Sequence, residues 1–591
     1  MLFSEFSNYL QTIENLDSRL AMTQVLADLF AKLSADEIDK VCYLSLGMLK
    51  PKFIGLELQI AEKMMIRALA QVLRLNTQVI NAVFKETGDL CSAAHKLAQL
   101  QKLLIHTRAL TITQVYNELV LIAQENGIGS QDRKVSRIVK LLGQMDEQSI
   151  TYLVRIPLKK LRLGFSDMTI LDGLSWMQTG NKSLRPQLEQ AYNIRADIGQ
   201  IAQIFKSDGL AVIEKIEPQT GTPIVPSRAT PLLDPTEILE KMQGKCALEP
   251  KFDGFRVQIH IDKSKQFHSE TGNALGLFTE AEAKPYVEIF SRNMDNMTYM
   301  FPDLVAAAQA LPVSSAILDG EALAFNPKTG ESLDFQETVK RKRKHNIESM
   351  KEEIPLRAYI FDVIYLNQQS LISLPLEQRR KQLEMVFGSQ QNQTLQLAQQ
   401  KIVNNPEAFQ TFFESVASDG LEGVMAKKLD APYKAGARDF TWVKYKVGMQ
   451  SSLADTVDAI VMGYFKGQGK WTQFGLGKIL VGVPDENGKI LSISKVGSGF
   501  SEKSIIEMVK RCQKIEISQP PIEYVVDKSL IPDIWVKPEI LVEIRADSIS
   551  RSTLYTTALS LRFPRFIRFR DDKQITEATT LRQVQDFVKK D

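Results

Sequence analysis

The stretch EPKFDGFR, residues 249–256, sets a lysine, Lys251, two residues after a carboxylate and two before an Asp-Gly pair. A primary amine attacks phosphorus only when it carries no proton, and its reference pKa is roughly 10.4. Neighbouring cations would lower that value, and the same cations would grip a polyphosphate. The chain offers such cations at intervals: Arg256 just after the Asp-Gly pair, Arg292 in FSRN, and Arg438, Lys444 and Lys446 in ARDFTWVKYK. Lys444 and Lys446 stand two apart, so they share one face of any strand that carries them. Glu321 in LDGEALAF and Glu422 in EGVMAKK supply the oxygen ligands that Mg2+ prefers. Phe361 in FDVIYL offers a ring on which a purine could stack. Taken one at a time, each has a plainer reading: a surface lysine beside a turn, a core phenylalanine, solvated glutamates, an exposed Lys-x-Lys strand. Taken together, they suit adenylate chemistry at an amine.

These residues need strands to hold them. Beyond the Asp-Gly pair, Phe255, Val257, Ile259 and Ile261 alternate with Arg256, Gln258 and His260, which predicts a strand with one apolar face. Asp253-Gly254 reads as the turn of a hairpin, one face of which would present Glu249, Lys251 and Arg256. Short alternating runs mixed with helical ones continue to residue 448, which predicts an α+β domain over 218–448. Residues 1–217 show three- and four-residue apolar spacing, as in DSRLAMTQVLADLFAKL, and a capping box at Ser34–Glu37; they predict an all-α domain. Between the two, Pro218, Pro223, Pro226, Pro231 and Pro235 mark an extended connection. From 449 to 591 strands dominate, PDENGK predicts a hairpin, and the pattern suggests a small β-barrel.

Composition sets the outer bounds. The 591 residues are too many for one core. The formal net charge is only +3, but basic residues cluster in PLKKLRLG (157–164), KRKRKH (340–345) and RFPRFIRFR (562–570), and clustered charge is what nucleic acid responds to. KRKRKH reads as a DNA contact ahead of a nuclear-localisation signal. Four cysteines and five histidines are scattered without ligand spacing, which argues against a zinc ribbon or a disulfide framework. No apolar run has membrane-spanning length and the first residues do not read as a secretory leader, so a reducing cytoplasmic location is expected.

In their order, EPKFDG, FSRN, LDGEALAF, FDVIYL, EGVMAKK, WVKYK and SLRFPRFIRFRDDK resemble the signature motifs of the covalent nucleotidyltransferases, most closely the ATP-dependent DNA ligases of archaeal and eukaryotic replicative type. The helical region with PLKKLRLGFSDMTILDGL resembles the DNA-binding domain of larger members. The resemblance implies three domains: an all-α DNA-binding domain, an α+β adenylation domain and a β-barrel OB-fold. It implies that Lys251 forms a lysyl-AMP, that Glu249 helps select adenine and that Phe361 stacks on it. Arg256, Arg292, Arg438 and Lys444 would contact the nucleotide, Glu321 the ribose and metal, and Glu422 the metal. Lys446 and Arg562 would contact phosphate, the latter by closure of the barrel over ATP. The cofactors implied are ATP and Mg2+, with Mn2+ as an alternative ion. The partner implied is nicked duplex DNA, gripped by a monomer; a sliding clamp would suit the family, but no clamp-binding motif is identified. One departure is a long polar connection over 262–286, expected to be a surface loop. An mRNA-capping or RNA-ligase activity would share the lysine motif, but the helical domain and RFPRF argue against it. An NAD-dependent ligase would bring a four-cysteine cluster, and a non-catalytic DNA-binding protein would not need Lys251, Glu321, Glu422 and Lys444 together.

Overall fold

The structure is a computed structural model that describes residues 1–100, 109–161, 163–164, 166–266, 285–326, 332–333, 335–341, 353–388, 393–419, 421–446, 456–466, 475–546, 548–552 and 554–589. Two compact units emerge, Met1–Lys444 and Tyr445–Asp591.

The first part of the larger unit is helical, from Phe3–Glu14 to Leu210–Ile213. One apolar core, with Phe6, Leu26, Phe30, Leu69, Ile150 and Ile201 inside it, runs through these helices. The capping box forms: the Ser34 N–H donates to the Glu37 carboxylate at 3.1 Å, satisfying a donor that the helix itself leaves unpaired.

The strands of the same unit, in chain order, are β1 (Arg228–Pro231), β2 (Cys246–Lys251), β3 (Phe255–Gln266), β4 (Pro285–Ser291), β5 (Ser315–Ala324), β6 (Leu356–Leu366), β7 (Gln369–Ser370), β8 (Leu395–Leu397), β9 (Lys401–Val403), β10 (Gly423–Lys427) and β11 (Arg438–Lys446). They form two sheets. One runs β1-β11-β10-β2-β9; the other runs β4-β3-β5-β6-β7, with β8 on β6. The second sheet has its own core of Val257, Ile259, Ile289, Leu318 and Ile360.

The expected hairpin across Asp253-Gly254 does not form. β2 pairs with β10 and β9, β3 pairs with β4 and β5, and residues 252–254 carry the chain from one sheet to the other. Gly254 is required for a different reason: a Cβ there would lie 2.3 Å from the carbonyl oxygen of Ala322 on β5. Its backbone runs hard against the neighbouring strand, an approach that only glycine allows. Asp-Gly patterns serve tight turns and close approaches alike, which is why the sequence misleads here.

The proline-rich connection is extended, as expected, but it is clipped down at several points. The Gly221 N–H donates to Nδ1 of buried His260 at 3.1 Å, so His260 Nε2 donates to the Gln258 amide oxygen at 2.9 Å. Burial pushes the His260 pKa down to about 3, keeping the ring neutral and able to accept. Gln258 in turn bonds both backbone groups of Ile224, at 2.8 and 3.2 Å. On its other side the connection meets the helices, through Val225 N–H to Asn193 O (2.8 Å) and Ala196 N–H to Pro223 O (3.1 Å).

In the unit Tyr445–Asp591, β12 (Val457–Phe465), β13 (Lys478–Pro484) and β14 (Ile490–Val496) follow as antiparallel neighbours. The PDENGK hairpin forms between the last two, with Pro484 opposite Ile490 and Gly488 at φ 76°. The sheet has eight strands around Val457, Val481, Ile493, Val542 and Phe566. Among the described residues no helix is long and apolar enough to cross a membrane.

Candidate active site

Lys251 ends β2, opposite Gly423 in the β2–β10 register. Its carbonyl accepts the Glu422 N–H at 3.2 Å, and its Nζ is ion-paired with the Glu422 carboxylate. The two side chains keep 21% and 25% of their surface. The nearest described partner of the amine is thus a carboxylate, whereas the sequence led us to expect cations. An ammonium has no lone pair, so a nucleophilic role for this amine would require it to give up a proton and Glu422 to let go of it.

Two residues earlier, on the same side of β2, Glu249 is buried. It receives the Gln400 side-chain amide at 2.9 Å and lies 2.6 Å from Lys427 Nζ. Lys427 is itself buried, with its Nζ 4.3 Å from the ring centroids of both Phe361 and Trp442. Those rings meet edge-to-face at 5.8 Å and 82°. A carboxylate, an ammonium and two aromatic rings thus meet in one cluster. Sequence reasoning gave no role to Lys427 or Trp442. The signal available was that Trp442 has the strand parity of Lys444, and that Lys427 ends the apolar run GVMA.

Arg256 opens β3. Its Nε donates to Asp319 at 2.8 Å, its Nη1 to the Ser227 carbonyl at 2.9 Å and its Nη2 to the Tyr433 hydroxyl at 3.2 Å. The Tyr433 hydroxyl donates to Asp319 at 2.8 Å, and Asp319 is fully buried. The guanidinium carbon lies 5.5 Å from the Phe361 ring and 5.4 Å from that of Trp442. Glu321 sits across from Arg256 in the β3–β5 register. Burial pushes the Glu321 carboxyl up to about 7, against the opposing pull of Arg256, Lys251 and Arg292. Arg292 itself is exposed just beyond β4.

The donors present suit Mg2+. Glu321 and Glu422 both act on Lys251, both offer hard oxygens, and a carboxyl held near neutrality by burial would ionise readily beside a divalent cation. Among the described residues no cluster of three or more His, Cys, Asp or Glu could hold a metal ion. The rest of an octahedral shell would then fall to phosphate and water, as Mg2+ ordinarily takes it.

Other expected residues fall elsewhere. Arg438 is exposed at the start of β11, opposite Arg228 and six residues, about 20 Å of strand, before Lys444. Lys444 is half-buried, the next residue after Trp442 on that face of β11, and Lys446 follows it. In the smaller unit, Arg562 is exposed at the end of the strand Leu559–Arg562. The run RFPRFIRFR divides by role: Arg568 pairs with Glu543 at 2.6 Å and Arg570 with Asp458 at 2.9 Å, so these two brace their own sheet. The basic run at 340–345 needs a correction at Arg341. It is buried, donates to the Met300 carbonyl (2.9 Å) and Asp303 (3.1 Å), and cannot reach DNA; Lys340 pairs with Glu337. Residues 342–345, and most of the polar connection over 262–286, lie outside the described residues.

Three family models match the chain: DNA ligase N terminus over residues 2–175, ATP dependent DNA ligase domain over 281–446, and ATP dependent DNA ligase C terminal region over 458–573. A probable DNA ligase of Dictyoglomus turgidum is 39% identical over 99% of this chain and 97% of its own length. A DNA ligase of Sulfurisphaera tokodaii is 36% identical over 100% and 98%. The chain belongs to the ATP-dependent DNA ligases. A solved structure titled Pmar-Lig_Pre, 19% identical with a TM-score of 0.55, shares the fold over 96% of this ligase and 99% of its own chain. The central model match starts at residue 281, after Lys251 and within the long polar connection; the full-length relatives span both. ATP-dependent DNA ligases seal nicks in duplex DNA, and the helical, adenylation and OB-fold parts expected from the sequence are those of the family. The four cysteines of this ligase are all buried.

Proposed function

We propose that Lys251 carries the adenylate in this ligase and that the pocket of Glu249, Phe361, Lys427 and Trp442 receives its base. The observation that carries the reading is the placement of Lys251 at the end of β2, two residues from the buried Glu249 and ion-paired with Glu422. The Lys251 amine, once deprotonated, attacks the α-phosphorus of ATP; a P–N bond forms and the bond to pyrophosphate breaks. The 5′-phosphate at a nick then displaces the lysine from AMP. Last, the 3′-hydroxyl attacks that phosphate, a phosphodiester forms and AMP leaves. Each step gathers charge on phosphate oxygens, so fixed cations should carry much of the catalysis. Lys444 and Arg292 are assigned to phosphate, and Arg256 to the nucleotide above the Phe361–Trp442 rings. Glu249 accepts from the exocyclic amine of adenine. Lys446, Arg438 and Arg562 rest on motif position alone.

Mg2+, or Mn2+ in its place, would be held by Glu321 and Glu422 and would neutralise polyphosphate charge. The division 1–217, 218–448 and 449–591 is our reading of the domains, supported by separate cores in the helical and sheet regions. We take the ligase to act as a monomer on nicked DNA in the cytoplasm, largely through phosphates, with affinity that falls steeply with salt.

The test is incubation with α-labelled ATP and Mg2+ in the absence of DNA. The wild-type protein retains covalent label, peptide mapping places it on Lys251, and Lys251→Ala retains none. Label on another residue, or nick sealing by Lys251→Ala at the wild-type rate, would overturn the assignment.

A further inference from the structure

Tyr433 belongs to none of the motifs singled out in the sequence, yet its hydroxyl is a meeting point of three chain segments. It accepts the Ser227 N–H at 3.3 Å and the Arg256 Nη2 at 3.2 Å, and it donates to Asp319 at 2.8 Å. Asp319 also takes Arg256 Nε at 2.8 Å, and the Ser227 carbonyl takes Nη1 at 2.9 Å. The Tyr433 ring stands perpendicular to Trp442 at 5.8 Å, so the residue packs on the aromatic cluster as well as bonding to Arg256. The guanidinium plane of Arg256 is therefore set by a phenol, a carboxylate and a main-chain carbonyl. Ser227 follows closely on Val225 and Pro223, whose backbones bond to Asn193 and Ala196 of the helical region.

We infer that Tyr433 is a positioning residue for self-adenylation: its hydroxyl fixes Arg256 over the Phe361 and Trp442 rings and joins that fixation to the segment leading out of the helical region. The inference rests on the reading of Arg256 as a nucleotide contact and Lys251 as the nucleophile. The hydroxyl, not the ring, carries the role. Removing it leaves the packing on Trp442 in place but takes a donor from buried Asp319 and an acceptor from the Ser227 N–H.

The experiment measures lysyl-AMP formation against ATP concentration for wild type, Tyr433→Phe, Arg256→Gln and the double variant, with label stoichiometry reporting the competent fraction. Tyr433→Phe is expected to raise the KM for ATP about tenfold, roughly 1.4 kcal/mol at the standard conversion, while the maximal rate and the stoichiometry stay within about threefold. Because both residues act through one network, adding Tyr433→Phe to Arg256→Gln should change KM less than about twofold. An unchanged KM, a loss confined to stoichiometry, or full additivity in the double variant would overturn the inference. Should Tyr433→Phe fail to fold, Asp319→Asn keeps an acceptor for the phenol, removes the charge, and is expected to show the same KM defect; an unchanged KM there would also overturn it. Wild-type label mapping to a residue other than Lys251 would instead refute the underlying assignment.

Discussion

Two ion pairs flank Gly254, and they could hardly differ more. On the β3 side, Arg256 and Asp319 keep 14% and 0% of their side-chain surface, and the guanidinium also bonds Ser227 and Tyr433. On the β2 side, Lys251 and Glu422 keep 21% and 25%, and the amine has a carboxylate as its partner. The first pair is locked: a buried charge, once paired and hydrogen-bonded, is expensive to release. The second is more exposed: under the proposed chemistry its lysine changes partner and protonation in every cycle. One short motif thus carries a fixed wall and, on the proposed reading, a movable nucleophile, and the crossing between sheets at 252–254 keeps them apart.

The largest effect that would sharpen this contrast is thermodynamic. Asp319→Ala strands Arg256 in a buried setting and should lower unfolding stability by about 3–5 kcal/mol. Denaturant titration checks it, and a loss below about 1 kcal/mol would mean the pair is not locked. Glu422→Ala should show the opposite profile. Stability should change by less than about 1 kcal/mol, as for other partly exposed pairs, while ATP-driven nick sealing should fall about a hundredfold, roughly 2.7 kcal/mol. Equal losses in stability for the two variants would erase the distinction.

The next effect is on pH. The Glu321 carboxyl is raised from 4.5 to about 7 in the folded state, so folding is favoured while it is protonated. That contribution is fully present below 4.5 and is lost as pH rises to 7. Glu321→Gln should therefore flatten the stability profile across that window and make the protein about 1–3 kcal/mol more stable than wild type above it, read by thermal melts at fixed ionic strength. Its Mg2+-dependent self-adenylation should fall at the same time. The smallest effect concerns the basic stretch 157–164, where Lys159 and Lys160 already pair with Glu57 and Glu62 on the surface. Neutralising either with Gln should alter stability by less than about 0.5 kcal/mol.

How much of this the sequence could reveal depended on range. Period-two alternation placed Glu249 and Lys251 on one side of a strand, and Lys444 with Lys446 on another, because strand parity is a local property. The helical region was legible from three- and four-residue spacing, and the Ser34 cap from a glutamate three residues on, within a single turn. The hairpin was misread because Asp-Gly carries no information about which strand lies beside it; the carbonyl of Ala322 decided the matter from across the sheet. Lys427 received no role, and Tyr433 and Ser227 were missed, for the same reason. Their partners lie at positions 249, 319 and 256, and only the folded backbone brings them together. Arg341 was misassigned because a run of positive charge does not say which member turns inward to Asp303.

The proline-rich segment has a bearing on exchange between relatives. Since its main chain is stitched to Asn193 and Ala196 on one side and to Gln258 and His260 on the other, a chimera that grafts a foreign helical region at residue 217 would cut through matched seams. Moving the junction upstream of Asn193, so that both sets of stitches travel together, is the splice site this architecture favours.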